Sequence, residues 1–283
     1  MQGLRERGWI EGQNFIVERR CCWAGNIDKL NEFMAELVRL KVDLLLVGGP
    51  QEAVAAKKAT STIPIVFLGV AYPVEAGLIE SFAHPGGNVT GASLYVIEGY
   101  TGKLLELLKE TVPSLTRPAH LINPTNPIWE KVDARQNFAE ISRTLKITGP
   151  VQILEARTPG DLAKAFATAT RQRVDGLLVT GDALFSSERK TIGDLALTNR
   201  LPSIFPTREY VGAGGLMCYG ADFLSLYRRG AVYVDKVLRG ANPGDTPIER
   251  PTKFELVINL KTAKALGLTI PQSVLIRADH IIE

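Results

Sequence analysis

One stretch of this chain occurs twice, and that duplication restricts the fold more than any other feature. Lys41-Val42-Asp43-Leu44-Leu45-Leu46-Val47-Gly48-Gly49 is echoed by Arg173-Val174-Asp175-Gly176-Leu177-Leu178-Val179-Thr180-Gly181. Each copy is an apolar run of strand length that stops at glycine, followed by helical periodicity and a proline-containing strand. That strand is Ile63-Pro64-Ile65-Val66-Phe67 in the first half and Leu201-Pro202-Ser203-Ile204-Phe205 in the second. The next turns also correspond, Pro73-Val74-Glu75-Ala76-Gly77-Leu78 against Tyr210-Val211-Gly212-Ala213-Gly214-Gly215. Matches in one fixed order argue for two copies of one α/β unit. Strands covered on both faces by crossover helices read as continuous apolar runs, so both copies predict parallel sheets.

The remaining elements follow from local pattern. Phe15 to Glu18 reads as a strand, Ile27 to Leu40 as an amphipathic helix, and Gln51 to Ala59 as a helix after the first glycine stop. Tyr72-Pro73 is expected to open a further helix, and Ala119 to Ile122 forms a short strand. At 283 residues, 45% hydrophobic and 22% charged, the chain has material for two ordinary globular cores. The net charge of +3 is spread over interleaved acidic and basic residues, with no basic run set among aromatics, which argues against nucleic acid. No apolar stretch approaches the roughly 18 residues of a membrane span, so direct membrane insertion is not expected. Met1 to Glu6 reads as part of an amphipathic helix and not as a signal peptide, which taken alone points to the cytoplasm.

The chemistry of known catalytic motifs is missing. There is no phosphate loop ending in Gly-Lys-Ser/Thr, no Gly-x-Gly-x-x-Gly opening a helix, and no Gly-x-Ser-x-Gly elbow. Gly212 to Gly215 lies between a helix and a strand and reads as a turn or hinge. Asp182 and a distant histidine could serve a hydrolase, but no nucleophile has its context. His84, His120 and His280 are scattered, without metal-ligand companions one helical turn away. Cys21, Cys22 and Cys218 give no disulfide framework; a single bridge to Cys218 is open, and buried free thiols are the preferred reading. No catalytic residue, cofactor or metal is therefore expected. Both copies end their strands in Gly and polar residues before a helix. In open parallel sheets that edge, with its free helix N–H groups, is where ligands bind, and two such edges facing each other would form a cleft.

Several longer motifs carry a resemblance. Gln2-Gly3-Leu4-Arg5-Glu6-Arg7-Gly8-Trp9-Ile10-Glu11-Gly12-Gln13-Asn14, Ala59 to Phe67, His84-Pro85-Gly86-Gly87-Asn88-Val89-Thr90-Gly91 and the run Pro251 to Gly267 resemble one family. It is the ABC transporter substrate-binding protein family that includes tryptophan- and tyrosine-binding lipoproteins, and the resemblance covers essentially the whole chain. It implies a type I periplasmic-binding-protein fold, with two Rossmann-like lobes joined by three crossing strands. Residues 1–97 plus 219–250 would form lobe 1, and 98–218 plus 251–283 lobe 2. It also implies a signal peptide and a first strand ahead of Met1, so lobe 1 is expected to lack its first strand. Phe15-Ile16-Val17 would then close directly onto Leu44-Leu45-Leu46 or pair with a second chain. The turn that carries Asp-Pro-Val in the family is Tyr72-Pro73-Val74 here, which should change the ligands tolerated.

The function so implied is the solute-binding component of an ABC uptake transporter. Its partners would be a small polar solute (an amino acid, aromatic ones among them, or another small carboxylate) held in the inter-lobe cleft, and the membrane permease. Its location would be periplasmic, or lipid-anchored outside the cytoplasm. Candidate contacts in lobe 1 are Gly49 and Gln51 beside Gly48, which offer helix N–H groups or form a plain tight turn. Tyr72 offers a stacking ring or an idle rim tyrosine. Thr90 and Ser93, with Gly91, lie at the first lobe crossing, where a hinge role is preferred to direct ligand contact. In lobe 2, Asn123 and Asn126, with Thr125, donate to ligand or cap a helix. Asp182 is the preferred single residue: it either accepts a ligand ammonium or serves as an N-cap. Phe185, like Phe205, walls the pocket or fills the core. Arg208 binds ligand or pairs with Glu209, and Tyr219 sits near the second crossing. A rival reading is an intracellular ligand sensor or regulator on the same fold, against which the lack of a helix-turn-helix segment counts. An enzyme is the third reading.

Overall fold

The computed structural model describes residues 1–21, 26–94, 99–126, 138–251 and 253–283. They fall into two compact α/β units: 1–21, 26–94, 126 and 223–251 in the first, and 99–125, 138–222 and 253–283 in the second.

The first unit is built on three parallel strands in the order β1 (Leu45–Val47), β2 (Ile65–Val70), β3 (Val89–Ser93). Leu45 lies opposite Ile65, and Val66 opposite Thr90. Helix Ile27–Arg39 starts where the Asn26 side chain accepts from the Lys29 N–H, and it buries Leu30, Met34 and Leu37, one stripe of the 3.6-residue period. Helix Phe223–Leu238 buries Leu226, Ala231, Val234 and Val237 in a cluster with Val66, Leu68 and Ala92.

The second unit carries seven strands in the order β10-β9-β8-β7-β6-β4-β5. They are β4 (Pro118–Ile122), β5 (Gln152–Glu155), β6 (Gly176–Val179), β7 (Ser203–Phe205), β8 (Met217–Ala221), β9 (Phe254–Asn259) and β10 (His280–Ile282). All neighbours run parallel except β8 and β9, where Met217 faces Ile258 and Gly220 faces Glu255. Residues 219–222, read from the sequence as part of lobe 1, fall in this unit, and 219–221 complete β8.

The duplicated sequence becomes duplicated structure. β1, β2 and β3 correspond to β6, β7 and β8, and the basic residue that opens each copy, Lys41 or Arg173, has the same left-handed φ of 54°. Burial separates the copies. β6 lies between β4 and β7, and all four of its residues are buried. β1 pairs only with β2 among the described residues, and Leu46 is 51% exposed, so the continuous apolar run predicted a strand more deeply buried than the one that forms. The strand expected at Phe15 to Glu18 does not form, nor does its closure onto residues 44–46. Phe15 makes one bridge to Glu11 and sets its ring edge-on to Trp9, and Ile16 is exposed. The helix expected after Tyr72-Pro73 is a series of tight turns over 73–78, closed by Gly77 N–H to Val74 and Leu78 N–H to Pro73. Cys21 and Cys218 are free thiols. Only Cys218 is buried, against the expectation for Cys21, and Cys22 lies outside the described residues.

One device recurs in both units. The third strand of each repeat carries Gly-Ala, Gly91-Ala92 in β3 and Gly220-Ala221 in β8. A Cβ on Gly91 would lie 2.0 Å from the Phe67 carbonyl oxygen, and one on Gly220 would lie 1.8 Å from that of Pro206. Gly91 also has φ +147°, open to glycine and almost no other residue. Both obstacles are backbone, so no rotamer change relieves them. Gly91→Ala and Gly220→Ala should each cost about 3 kcal/mol or more, read by urea unfolding. Gly212→Ala, which meets nothing within 4 Å, should leave the midpoint within experimental scatter.

Candidate functional site

The polar residues singled out from the sequence lie at or near strand ends, and the structure sorts them by what their side chains already bind. In the first unit, Gly49 is the N-cap of helix Pro50–Ala59, with extended backbone. Proline at the first helical position loses no hydrogen bond, because that N–H would lack a helical partner anyway. Glu52, the third helical residue, turns its carboxylate back to within 2.5 Å of where a Gly49 Cβ would stand. The chain's own anion thus lies over the helix N-terminus that the sequence offered to a ligand carboxylate. Gln51 is buried one turn position away. Tyr72 follows β2 and precedes Pro73. It is half-buried, and its φ of 54° is a left-handed conformation that costs a tyrosine roughly 1–2 kcal/mol. Its carbonyl accepts from Ala76 N–H at 2.9 Å, so the turn holds the ring at the carboxyl end of the sheet. Ser93 ends β3 at the same edge, fully buried, donating to the Val70 carbonyl at 2.7 Å. Thr90 donates to the Thr246 carbonyl at 2.8 Å. These two hydroxyl protons tie the fold.

In the second unit, Asn123 after β4 and Asp182 after β6 are brought together. Asn123 Nδ2 donates to Asp182 Oδ1 at 3.0 Å, and the same oxygen accepts the Leu184 N–H at 2.9 Å. Asn123 Oδ1 in turn accepts from the N–H and hydroxyl of Thr125. Asp182 is therefore the N-cap of helix Ala183–Ser187 and a clasp between two strand ends. Asn126 is buried in the first unit and directly precedes the residues outside the description. Phe185 is fully buried in the core cluster that also holds Phe205, whose ring stacks on Tyr210 at 5.0 Å. Tyr219 stacks on Tyr100 and on Phe254, and the Tyr100 hydroxyl donates to the Tyr219 carbonyl.

Arg208 opens helix Arg208–Gly212 after β7, and it pairs with Glu255 at 3.5 Å, not with Glu209. Glu255 did not figure among the sequence candidates. It is the one charged residue of the mostly apolar strand Phe254–Asn259, and that isolation was the available signal. Its side chain is 7% exposed, and its Oε2 is shared between Arg208 and, at 3.8 Å, His280 Nε2. Burial pushes the carboxyl above its ordinary range; Arg208 and His280 pull it down, Asp222 and Glu209 push it up. Elsewhere burial holds His120 down to about 3 and raises the Cys218 thiol to about 12, as for core groups. Among the described residues no group of three or more His, Cys, Asp or Glu could hold a metal ion. No helix among them is long and apolar enough to cross a membrane.

Comparison with known proteins agrees with this architecture. The sequence pattern of the family described as ABC transporter substrate binding protein matches residues 1–282. A tyrosine-binding protein of Clostridioides difficile (strain R20291) is 29% identical over 271 residues, 95% of this chain and 75% of that protein. A conserved domain protein of Vibrio cholerae superimposes with a TM-score of 0.88 at 27% identity, over 99% of this chain and 92% of that one. The ABC domain of Streptococcus pneumoniae in complex with L-Trp gives 0.87 at 26% identity, over the same shares.

The Asp182 clasp makes a direct prediction. Asp182→Ala removes a helix cap and leaves a buried Asn123 amide without its acceptor, so it should lower stability by about 1–3 kcal/mol in chemical denaturation. Asp182→Asn, which keeps an acceptor oxygen, should recover most of that loss.

Proposed function

This chain belongs to the ABC transporter substrate binding protein family, and from that premise we propose that it binds an amino acid reversibly, aromatic ones first, as the solute-binding component of an uptake transporter. The observation that carries the reading is the alignment of essentially the whole chain with a relative solved around L-Trp, at 26% identity and a TM-score of 0.87. The 29% identical tyrosine-binding protein supports the same ligand class. The fold is that of type I periplasmic binding proteins, two α/β units with parallel-rich sheets whose carboxyl edges gather polar groups. Such edges suit recognition, since helix N–H groups and strand-end side chains point out of the sheet there. The reading requires no bond-making step, only hydrogen bonds and apolar contact. Its second partner is the membrane permease of the transporter, and its place of work is outside the cytoplasm.

The sequence-derived contacts divide unequally under this proposal. Tyr72 and Arg208 are the side chains best placed to meet a solute. Gln51 and Asn126 are buried polar groups of the first unit, and Gly49 caps the helix that carries Gln51. Thr90 and Ser93 in the first unit, and Asn123 and Asp182 in the second, are engaged in bonds within their own unit, and Phe185 fills the core of the second. Tyr219 belongs with Tyr100 and Phe254 as an aromatic stack.

A thermal-shift series with the twenty L-amino acids, indole-3-propionate and benzoate tests the function. L-tryptophan or L-tyrosine at a hundred times its dissociation constant should stabilise the protein by about 2.7 kcal/mol. No shift with any amino acid would refute the reading. A second test uses the strained tyrosine. Tyr72→Gly relieves the left-handed backbone and removes the ring, so the melting temperature should hold or rise. Affinity for an aromatic amino acid should fall by the roughly 0.5–1.5 kcal/mol of one aromatic contact. A variant that binds as tightly as the parent removes Tyr72 from the site.

A further inference from the structure

Glu255 is an unusual residue to find inside a strand. Buried carboxylates in folded proteins are held by several donors, because a charge removed from water without compensation is expensive. Here the residue is 6% exposed, and its Oε1 is buried without a hydrogen bond among the described residues. The other oxygen has only long contacts, 3.5 Å to Arg208 Nη1 and 3.8 Å to His280 Nε2. Two further acids, Asp222 and Glu209, bear on the same carboxyl and raise the cost of its charge. A structural ion pair would be built the other way, with short, forked contacts to the arginine.

The position is informative as well. Glu255 faces Gly220, where β8 carries no side chain and the neighbouring space is taken by the Pro206 carbonyl and the Tyr100 hydroxyl. Arg208 stands at the first position of its helix, just past the carboxyl end of β7, where parallel sheets present ligand groups. The Arg208 side chain is 40% exposed and makes no other hydrogen bond among the described residues, so most of its guanidinium fork is uncommitted. The two groups that cover Glu255, Arg208 and a 52% exposed His280, are both half-open side chains able to swing aside.

We propose that Glu255 and Arg208 form the subsite for the charged head of an amino-acid solute, the ammonium donating to Glu255 Oε1 and the carboxylate accepting from the Arg208 guanidinium. This deepens the amino-acid reading above and rests on it. A zwitterionic head supplies both things the pair lacks, a donor for the idle oxygen and an acceptor for the idle fork. Asp182, whose Oδ1 already holds Leu184 and Asn123, gives up the ammonium role assigned to it from sequence. Aromatic carboxylates that lack an amine would leave the buried charge unanswered, so the subsite selects amino acids over their des-amino analogues.

The test compares wild type, Glu255→Gln and Arg208→Gln by calorimetry against L-tryptophan and L-tyrosine, with indole-3-propionate and 3-(4-hydroxyphenyl)propionate as analogues. Glu255→Gln should weaken both amino acids by about tenfold or more, the loss expected for a hydrogen bond between charged groups, and leave the analogues unchanged. Arg208→Gln should weaken all four. Melting temperature without ligand supplies an independent readout. The folded-state carboxyl is raised, so its ionisation destabilises the protein as pH climbs through and above the ordinary carboxylate range. Glu255→Gln should therefore melt higher than wild type at pH 8 and lose that advantage near pH 4.5. A variant that melts lower at pH 8 and binds L-tryptophan like the parent would show a structural ion pair and overturn the proposal. So would equal weakening of amino acids and analogues by Glu255→Gln. If wild type binds none of the amino acids, the functional reading fails and the subsite falls with it.

Discussion

A polar group taken out of water must find a partner, and at the strand ends of this protein that requirement decides what is left for a ligand. Ser93, Thr90, Asn123 and Asp182 are all buried, and each hydroxyl, amide or carboxylate oxygen described above meets a backbone or side-chain partner of the same unit. Those bonds knit strand to strand: Ser93 joins β3 to β2, and Asn123 with Asp182 joins β4 to β6. Tyr72 is held in a strained turn, and the Arg208–Glu255 pair is held by long contacts. Strain and incomplete pairing are both states that a folded chain abandons unless something compensates for them. Under the proposed function, a solute supplies that compensation.

Much of this was legible in residues. The duplicated Val-Asp-apolar-Gly run became β1 and β6, and the proline-containing echoes became β2 and β7. The glycine within each third strand, Gly91 or Gly220, could have been read as a further match, since both stand before alanine. Their meaning lay in the 2.0 and 1.8 Å approaches to the neighbouring backbone, which no sequence pattern displays. Where the reading failed, tertiary context overrode local preference. Phe15 to Glu18 has the composition of a strand, but among the described residues it pairs with no strand, and Phe15 packs on Trp9. Tyr72-Pro73 resembles a helix start, yet a left-handed tyrosine ahead of proline sends the chain into consecutive tight turns.

The site shows the same division. Asp182 was the preferred ligand contact because an acid at a strand end facing solute is chemically apt, and its alternative as an N-cap was open from the start. The structure gives it the capping bond. Glu255 escaped notice because strand Phe254–Asn259 is mostly apolar, and the candidates were sought in polar clusters. A single acid inside an apolar strand is the more telling sign, since such a residue survives only with a dedicated counterpart. Arg208 was a candidate for ligand or for pairing with Glu209, but the carboxylate it meets lies 47 residues away, in a strand brought beside it by the antiparallel pairing of β9 with β8.

The central claim is that the chain recognises an amino acid. Native mass spectrometry measures that directly: the purified protein is mixed with an equimolar set of the twenty amino acids and their des-amino acids, and bound masses are read from the intact complex. The account predicts one dominant adduct, tryptophan or tyrosine, with the corresponding des-amino acid absent. An adduct without an amine, or a spectrum of bare protein across the whole mixture, would contradict it.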